Sequence, residues 1–335
     1  MPRILTNQGI FYESGQTPFA FAALTHAGDQ KNFTAASKPW SQRTNYAPVI
    51  APYGLLTGGA VTPAAAAGNN NVDVAALTAM MPAATGASAT TGVLSVSAAT
   101  NVAATRGSSD GYRITSITVN SSGAIAAVAG TESTAFSETR GAAGGPPFIP
   151  VGSIEIAQVR FTSTSAAVVA AAEIYAVPGQ HLEMSNLPTY SADYLSGKIT
   201  FDSTLPLIHT GSVPKAIYVR GHTPIFAAFG SAKDWVPATD SLSAQALPFY
   251  RNTLSSVSSS MSAASFSVAF EDGVTDPILA LSGENLMVKY MPDISGTPYS
   301  LTQGVMGIAI TNPVRGISQG TVTLVAQQAT KNFAS

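Results

Sequence analysis

Four stretches of this chain alternate apolar and polar residues with period two, and that pattern most narrows what it can fold into. Ile199 and Phe201 alternate with Lys198, Thr200 and Asp202. Phe266, Val268 and Phe270 alternate with Ser265, Ser267 and Glu271. Leu286, Val288 and Tyr290 alternate with Met287, Lys289 and Met291, and Val322 and Leu324 with Thr321 and Thr323. Successive side chains of a strand point to opposite faces, so each stretch offers one apolar face to a core. Tyr112 to Val119 is rich in Ile, Thr and Val, which suit a pleated surface. Asn120-Ser121-Ser122-Gly123 supplies turn chemistry after it, and Ala124 to Ala129 can return as the partner strand. The chain is therefore expected to be mainly β.

Helical signals are few. Asp276 stands where a side chain can cap free N–H groups, Pro277 suits the first helical position, and Gly283 can end the turn. So short a helix must pack on a sheet to persist. A second candidate runs from Asp73 to Met81 before Pro82, and it reads equally well as strand.

The polar faces of these strands are mostly Ser and Thr, which leads to the charge content. Lys, Arg, Asp and Glu make up 10% of 335 residues, where roughly 25% is usual. A surface so short of charge is poorly protected against association, which fits a surface covered by neighbouring subunits. Sixteen basic residues against 18 acidic ones give a net charge of −2. The basic residues are scattered singly, which excludes a sequence-independent grip on nucleic acid. With no cysteine there is no disulfide, thiolate metal site or Cys nucleophile, and a reducing compartment is favoured. The longest apolar run, Ala166 to Ala172, falls far short of the ~20 residues of a membrane span. The N-terminal stretch carries no convincing signal peptide, so synthesis in the cytoplasm is expected.

Three zones differ in composition. Residues 1–59 are aromatic and punctuated by Pro18, Pro39, Pro48 and Pro52. Residues 60 to about 145 are Ala, Thr, Ser and Gly with seven charges, and close on Gly144-Gly145-Pro146-Pro147. Disordered segments are usually rich in charge and poor in β-branched residues; this zone is neither, so it is expected to fold. The regular alternation lies beyond Phe148. The expected division is residues 1–59 and 181–335 as one body, with 60–180 as an inserted β-rich lobe.

Tests for catalytic and ligand motifs fail. Ser191 to Ile199 lacks the first Gly of a phosphate loop and the hydroxyl needed at Ile199, and reads as a turn into a strand. Asn69, Asn71 and Asp73 begin like a calcium loop, but Val74 and Met80 replace its Gly and Glu; a turn with a helix cap at Asp73 explains them better. His26, His181, His209 and His222 include no helical metal pair. His181 and Glu183 share a strand face but sit in a polar loop. No nucleophile elbow is present. The chain is expected to have no catalytic residues, no metal and no cofactor.

One acidic cluster stands out: Glu271, Asp272, Asp276, Glu284 and Asp293 lie within 23 positions, with Lys289 alone against them. Three readings are open. They are a solvated loop with a helix cap at Asp276, a carboxylate pair for acid–base chemistry, and an electrostatic surface.

Residues 270–293, FEDGVTDPILALSGENLMVKYMPD, resemble the tail tube proteins of long-tailed bacteriophages. TPYSLTQGVMGI at 297–308 and RGISQGTVTLVAQQA at 315–329 extend the resemblance over roughly the last 75 residues. It implies a tail tube β-sandwich with a short flanking helix. Subunits would form rings of six that stack into a hollow conduit for DNA ejection in the virion tail. The partners implied are copies of the chain, other tail proteins, and DNA that passes without specific binding, with no membrane. Glu271, Asp272, Glu284 and Asp293 would then face the lumen and repel the duplex, with Asp276 left as the cap. The competing placement has these acids at ring-to-ring contacts with Arg43, Arg220 or Arg315. A capsid or decoration protein of a phage head, and a carbohydrate-binding fibre or adhesin, are the alternatives.

Overall fold

The computed structural model describes residues 7–66, 68–176, 187–249, 252–271 and 273–334, and these are mainly antiparallel β. The largest sheet runs in the order Ala232–Val236, Ala264–Ala269, Gln319–Ala326, Tyr299–Thr311, Asn285–Met291, Gly9–Ala23, Ile217–Ala228, Val49–Pro52. A ninth strand, Lys331–Phe333, pairs with the start of Tyr299–Thr311. Three of the alternating stretches belong to this sheet: Ala264–Ala269 and Gln319–Ala326 are neighbours, and Asn285–Met291 lies one strand further on, across Tyr299–Thr311. Their apolar residues Phe266, Val268, Leu286, Val288, Val322 and Leu324 share one buried cluster with Met306 and Ile278. Ile278 belongs to the short helix, a 3-10 turn at Pro277–Leu281 that packs on the sheet as its length requires. The fourth stretch forms Lys198–Phe201 in a separate four-stranded sheet. There Phe33, Trp40, Ile199 and Phe201 make a second core.

A separate β unit lies between Gly54 and Tyr175. Three small sheets enclose one cluster that runs from Tyr53 to Val169 and takes in Ile208. Arg113–Val119 pairs with Ile125–Ala129 across the Asn120 turn. The Asn120 side-chain oxygen accepts from the Ser122 and Ala124 N–H groups, both at 2.9 Å. The Asp73–Met81 segment is not helical: it is two strands, Asn71–Val74 and Leu77–Met80, in different sheets. Val72, Val74, Leu77 and Ala79 are buried, and that period-two burial decided between the two forms. Asp73 is accordingly no helix cap. Its carboxylate accepts from the N–H groups of Ala65 and Asn101, both at 2.9 Å, and these bonds hold its pKa below the usual carboxylate value.

Every formal charge between residues 60 and 145 except Asp73 and Asp110 is in an ion pair, always Arg with Glu. Arg106 grips Glu173, Arg113 faces Glu132, Arg140 holds Glu155, and Arg160, on a neighbouring strand, pairs with Glu138. Glu155 is fully buried and also accepts from the Ser116 hydroxyl and the Gln158 amide. Arg106 lies flat over Phe161 at 4.2 Å, and Arg160 over Tyr175 at 4.4 Å. These pairs clamp the long loops onto the sheets.

The body is joined by a polar seam. Glu13, also fully buried, sits at a bulge of Gly9–Ala23 and accepts from Ser41 Oγ, Gln16 Nε2 and the Met287 N–H. Its carboxylate serves the Met287 N–H just past the point where the pairing of Gly9–Ala23 with Asn285–Met291 ends, at Tyr12 and Val288. Beside it Gln42 Oε1 accepts from Asn285 and Gln303, and Arg43 faces Glu284.

Candidate functional site

The acids clustered in sequence are dispersed in space. Glu271 follows Ala264–Ala269 at the end of the sheet marked by Gln319 and Thr311. Glu284 precedes Asn285–Met291 and lies beside Met306, whose N–H donates to the Glu284 carbonyl. Asp293 follows that strand at the opposite end, near Ser300. At ~3.3 Å per residue, the first and last are roughly 35 Å apart along the strands. They therefore make no acid–base pair. Glu271 is exposed. Glu284 faces Arg43 of the same chain at 3.7 Å. Asp293 Oδ1 accepts from the N–H and hydroxyl of Ser295 in a local turn. Asp272 lies outside the described residues.

Asp276 holds the N-cap position of the 3-10 turn, but its side chain makes no capping bond there. Its carboxylate turns back instead and accepts from the N–H groups of Glu271 and Gly273, at 3.0 and 2.9 Å. It orders the loop before the turn. A five-residue 3-10 segment with Pro277 at its start has few free N–H groups to cap.

The remaining sequence candidates have structural settings. Tyr190–Asp193 and Lys198–Phe201 form a hairpin, with Gly197 at φ +61° between them. Asp193 in that hairpin bonds Lys331 and Ser196. Burial raises the Asp193 pKa, but those bonds outweigh it and leave it below the ordinary value. The buried ring of His209 has Pro214 O at 3.1 Å and Ser153 O at 2.9 Å. His26 accepts from Gly28 N–H, and His222 meets the Tyr46 ring edge-on. His181 and Glu183 lie outside the described residues. Among the described residues, no group of three or more His, Asp or Glu side chains is placed to hold a metal ion.

What the sheet does present is an outer patch of Ser, Thr and small apolar residues on three adjacent strands, bordered by Lys233, the register partner of Ser267. Register puts Ser265 and Ser267, Thr321, Thr323 and Val325, and Val305, Gly307 and Ala309 on one side, opposite the core. Val305 and Val325 are exposed there as a directly paired couple. At the Gln319 end, Val274, Val314 and Ile317 project from loops at 76%, 103% and 63% exposure.

From the other end of Ala264–Ala269 an arm extends. Asp240–Phe249 and Asn252–Met261 pair over ten positions without a bulge, and with no other strand among the described residues. The sequence hides this arm. Seven serines from Ser241 to Ser260 fall on both sets of alternate positions, five with Gln245 and two with Ala244 and Ala246, and leave little contrast for period-two reading.

No family model, curated protein or solved structure matches this chain.

Proposed function

We propose that this chain is a structural subunit that polymerises with copies of itself as stacked rings into the tail tube of a long-tailed phage, and that the tube conducts DNA. The observation that carries the reading is the outer patch of the main sheet where three adjacent strands present Ser, Thr, Val, Gly and Ala without a charge. A surface so short of charge, with Val305 and Val325 exposed as a pair, is poorly protected against association. The two ends of the same sheet differ, with apolar loops at one and an arm at the other. Contacts between unlike surfaces are head-to-tail, and they generate rings when the rotation closes and filaments when it does not. A conduit must not hold its cargo, and a net charge of −2 without a basic cluster meets that need. Of the acids assigned to the lumen, Glu284 is offset by Arg43. The repulsive lining then falls to Glu271 and Asp293, at different heights of the channel.

Negative-stain microscopy of the purified protein, with sedimentation over a concentration series, tests this. Stacked rings or tubes are expected. Val325→Glu, on the exposed face, should abolish them while leaving the circular dichroism spectrum unchanged. A protein that stays monomeric at millimolar concentration, or a variant that assembles as before, overturns the reading.

A further inference from the structure

A sheet edge is where another chain adds a strand, and natural proteins guard such edges with charges, bulges and prolines. Both edges of the main sheet are guarded. Ala232–Val236 carries Lys233 and Asp234, both well exposed, with Asp234 at φ +60° and an interrupted register between Lys233 and Val236. At the opposite edge, the four-residue strand Val49–Pro52 is preceded by Pro48 and ends in Pro52. The arm differs from both. Its strands are ten residues each, in unbroken register, with one charged residue, Asp240, at the root. An isolated two-stranded ribbon is marginal in water. Among the described residues this one has no third strand on either side.

The hydrogen-bonding phase can be read from the root. Ser262 N–H donates to the Thr239 carbonyl at 3.0 Å, so that pair is a bonded one. Bonded pairs recur at every second position of an antiparallel ladder. Ser241–Ser260, Ser243–Ser258, Gln245–Ser256, Leu247–Leu254 and Phe249–Asn252 are thus bonded inward. The alternate N–H groups face outward: Asp240, Leu242, Ala244 and Ala246 on one edge, and Thr253, Ser255, Val257, Ser259 and Met261 on the other. Pro248 falls in the outward set, where a missing N–H costs the ribbon nothing.

We infer that the arms of neighbouring copies pair edge to edge, the outer edge of Asp240–Phe249 in one copy with the outer edge of Asn252–Met261 in the next, to form a closed collar of two strands per copy. The inference rests on the self-assembly proposed above and names its contact. When arms point the same way around a ring, an outgoing strand lies beside a returning one, so the added ladder is antiparallel like the ribbon itself. Cyclic addition satisfies both edges of every arm and leaves no edge in the collar. A two-fold pair of arms satisfies only one edge of each. The partner is a second copy because each edge matches the other in length and phase.

Prolines placed on outward N–H positions test this, because they leave the ribbon's own bonds intact. Ala244→Pro blocks one edge and Val257→Pro the other. Each variant alone is expected to lose the collar while keeping the circular dichroism and melting temperature of the parent. Mixed together they are expected to give dimers, because the open edge of one still fits the open edge of the other. Hydrogen exchange on the unaltered protein gives an answer that needs no variant. In the assembled state the outward amides of 242, 244, 246, 255, 257 and 259 should slow at least tenfold, to join the inward set. Tubes that form equally from both proline variants, or outward amides that still exchange freely in tubes, overturn the collar while leaving the tube reading in place. A parent protein that never assembles overturns both.

Discussion

The lobe between Gly54 and Tyr175 and the main sheet handle charge in opposite ways. The lobe has few charges and pairs nearly all of them internally, Arg to Glu, across its own loops. The main sheet leaves a patch of three strands uncharged on one face, with exposed valines, and carries an arm that pairs with no third strand among the described residues. The lobe is thus complete as a single chain, whereas the sheet is built as though part of its surface belonged to another molecule. The two buried carboxylates repeat the contrast. Glu155 in the lobe is held by a cation, Arg140. Glu13 in the body is held among the described residues by neutral donors alone, Ser41, Gln16 and the Met287 N–H.

That difference predicts the largest effects. Glu155→Ala leaves the Arg140 guanidinium, mostly buried, without its partner. Breaking a buried pair by removing one member costs about 3–5 kcal/mol. Thermal unfolding should show the lobe melting early while the main sheet keeps its transition; equal loss in both would break the comparison. Glu155→Gln should recover little, because no neutral amide replaces the charge opposite Arg140. Glu13 should behave differently. Glu13→Ala leaves the buried Met287 N–H unsatisfied, at a cost of about 2–3 kcal/mol. Glu13→Gln should lose only about 1 kcal/mol. Its amide oxygen can serve Met287, while the Ser41 hydroxyl and Gln16 amide can reverse donor and acceptor roles. Chemical denaturation of the four variants checks this, and a glutamine that rescues at 155 but not at 13 would contradict it.

The sequence made the strands legible wherever apolar residues were large. Phe266, Leu286 and Val322 announce their faces because Ser, Thr and Lys stand between them. It was ambiguous where side chains are small. Ala75 and Ala76 fill the gap between two strands and read as easily as helix, and Ala244 and Ala246 barely differ from the serines around them. The expected lobe of 60–180 takes in Phe161 and Ile174, although the compositional zone closes near 145; core contacts between strands distant in sequence tie them to it. The Arg–Glu partners could not be read, since they lie 15 to 67 residues apart along the chain. The acidic cluster misled for a geometric reason: the extended strand Asn285–Met291 carries Glu284 and Asp293 to its opposite ends, whereas a helix would have kept them closer.

The smallest effect concerns the outermost clamp of the lobe. Glu138 binds Arg160 through both carboxylate oxygens, at 2.7 and 2.9 Å, but its side chain is 76% exposed. Those bonds from Arg160 hold its pKa below the ordinary value. A depressed carboxylate pKa means that the stabilisation is fully present above the unfolded-state value, about 4.3. It is lost as pH falls through the lower folded-state value. An exposed pair of this kind contributes about 0–1 kcal/mol at neutral pH. Glu138→Ala should therefore melt only slightly below the parent at pH 7, and the gap should close when both are measured at about pH 2–3, below the unfolded-state value. The Arg160 guanidinium stays stacked on Tyr175 in either protein, so the variant should not unfold the lobe. A gap that widens in acid would mean that Glu138 acts through something other than its charge, and the picture of the lobe as a unit clamped by ion pairs would lose its most accessible test case.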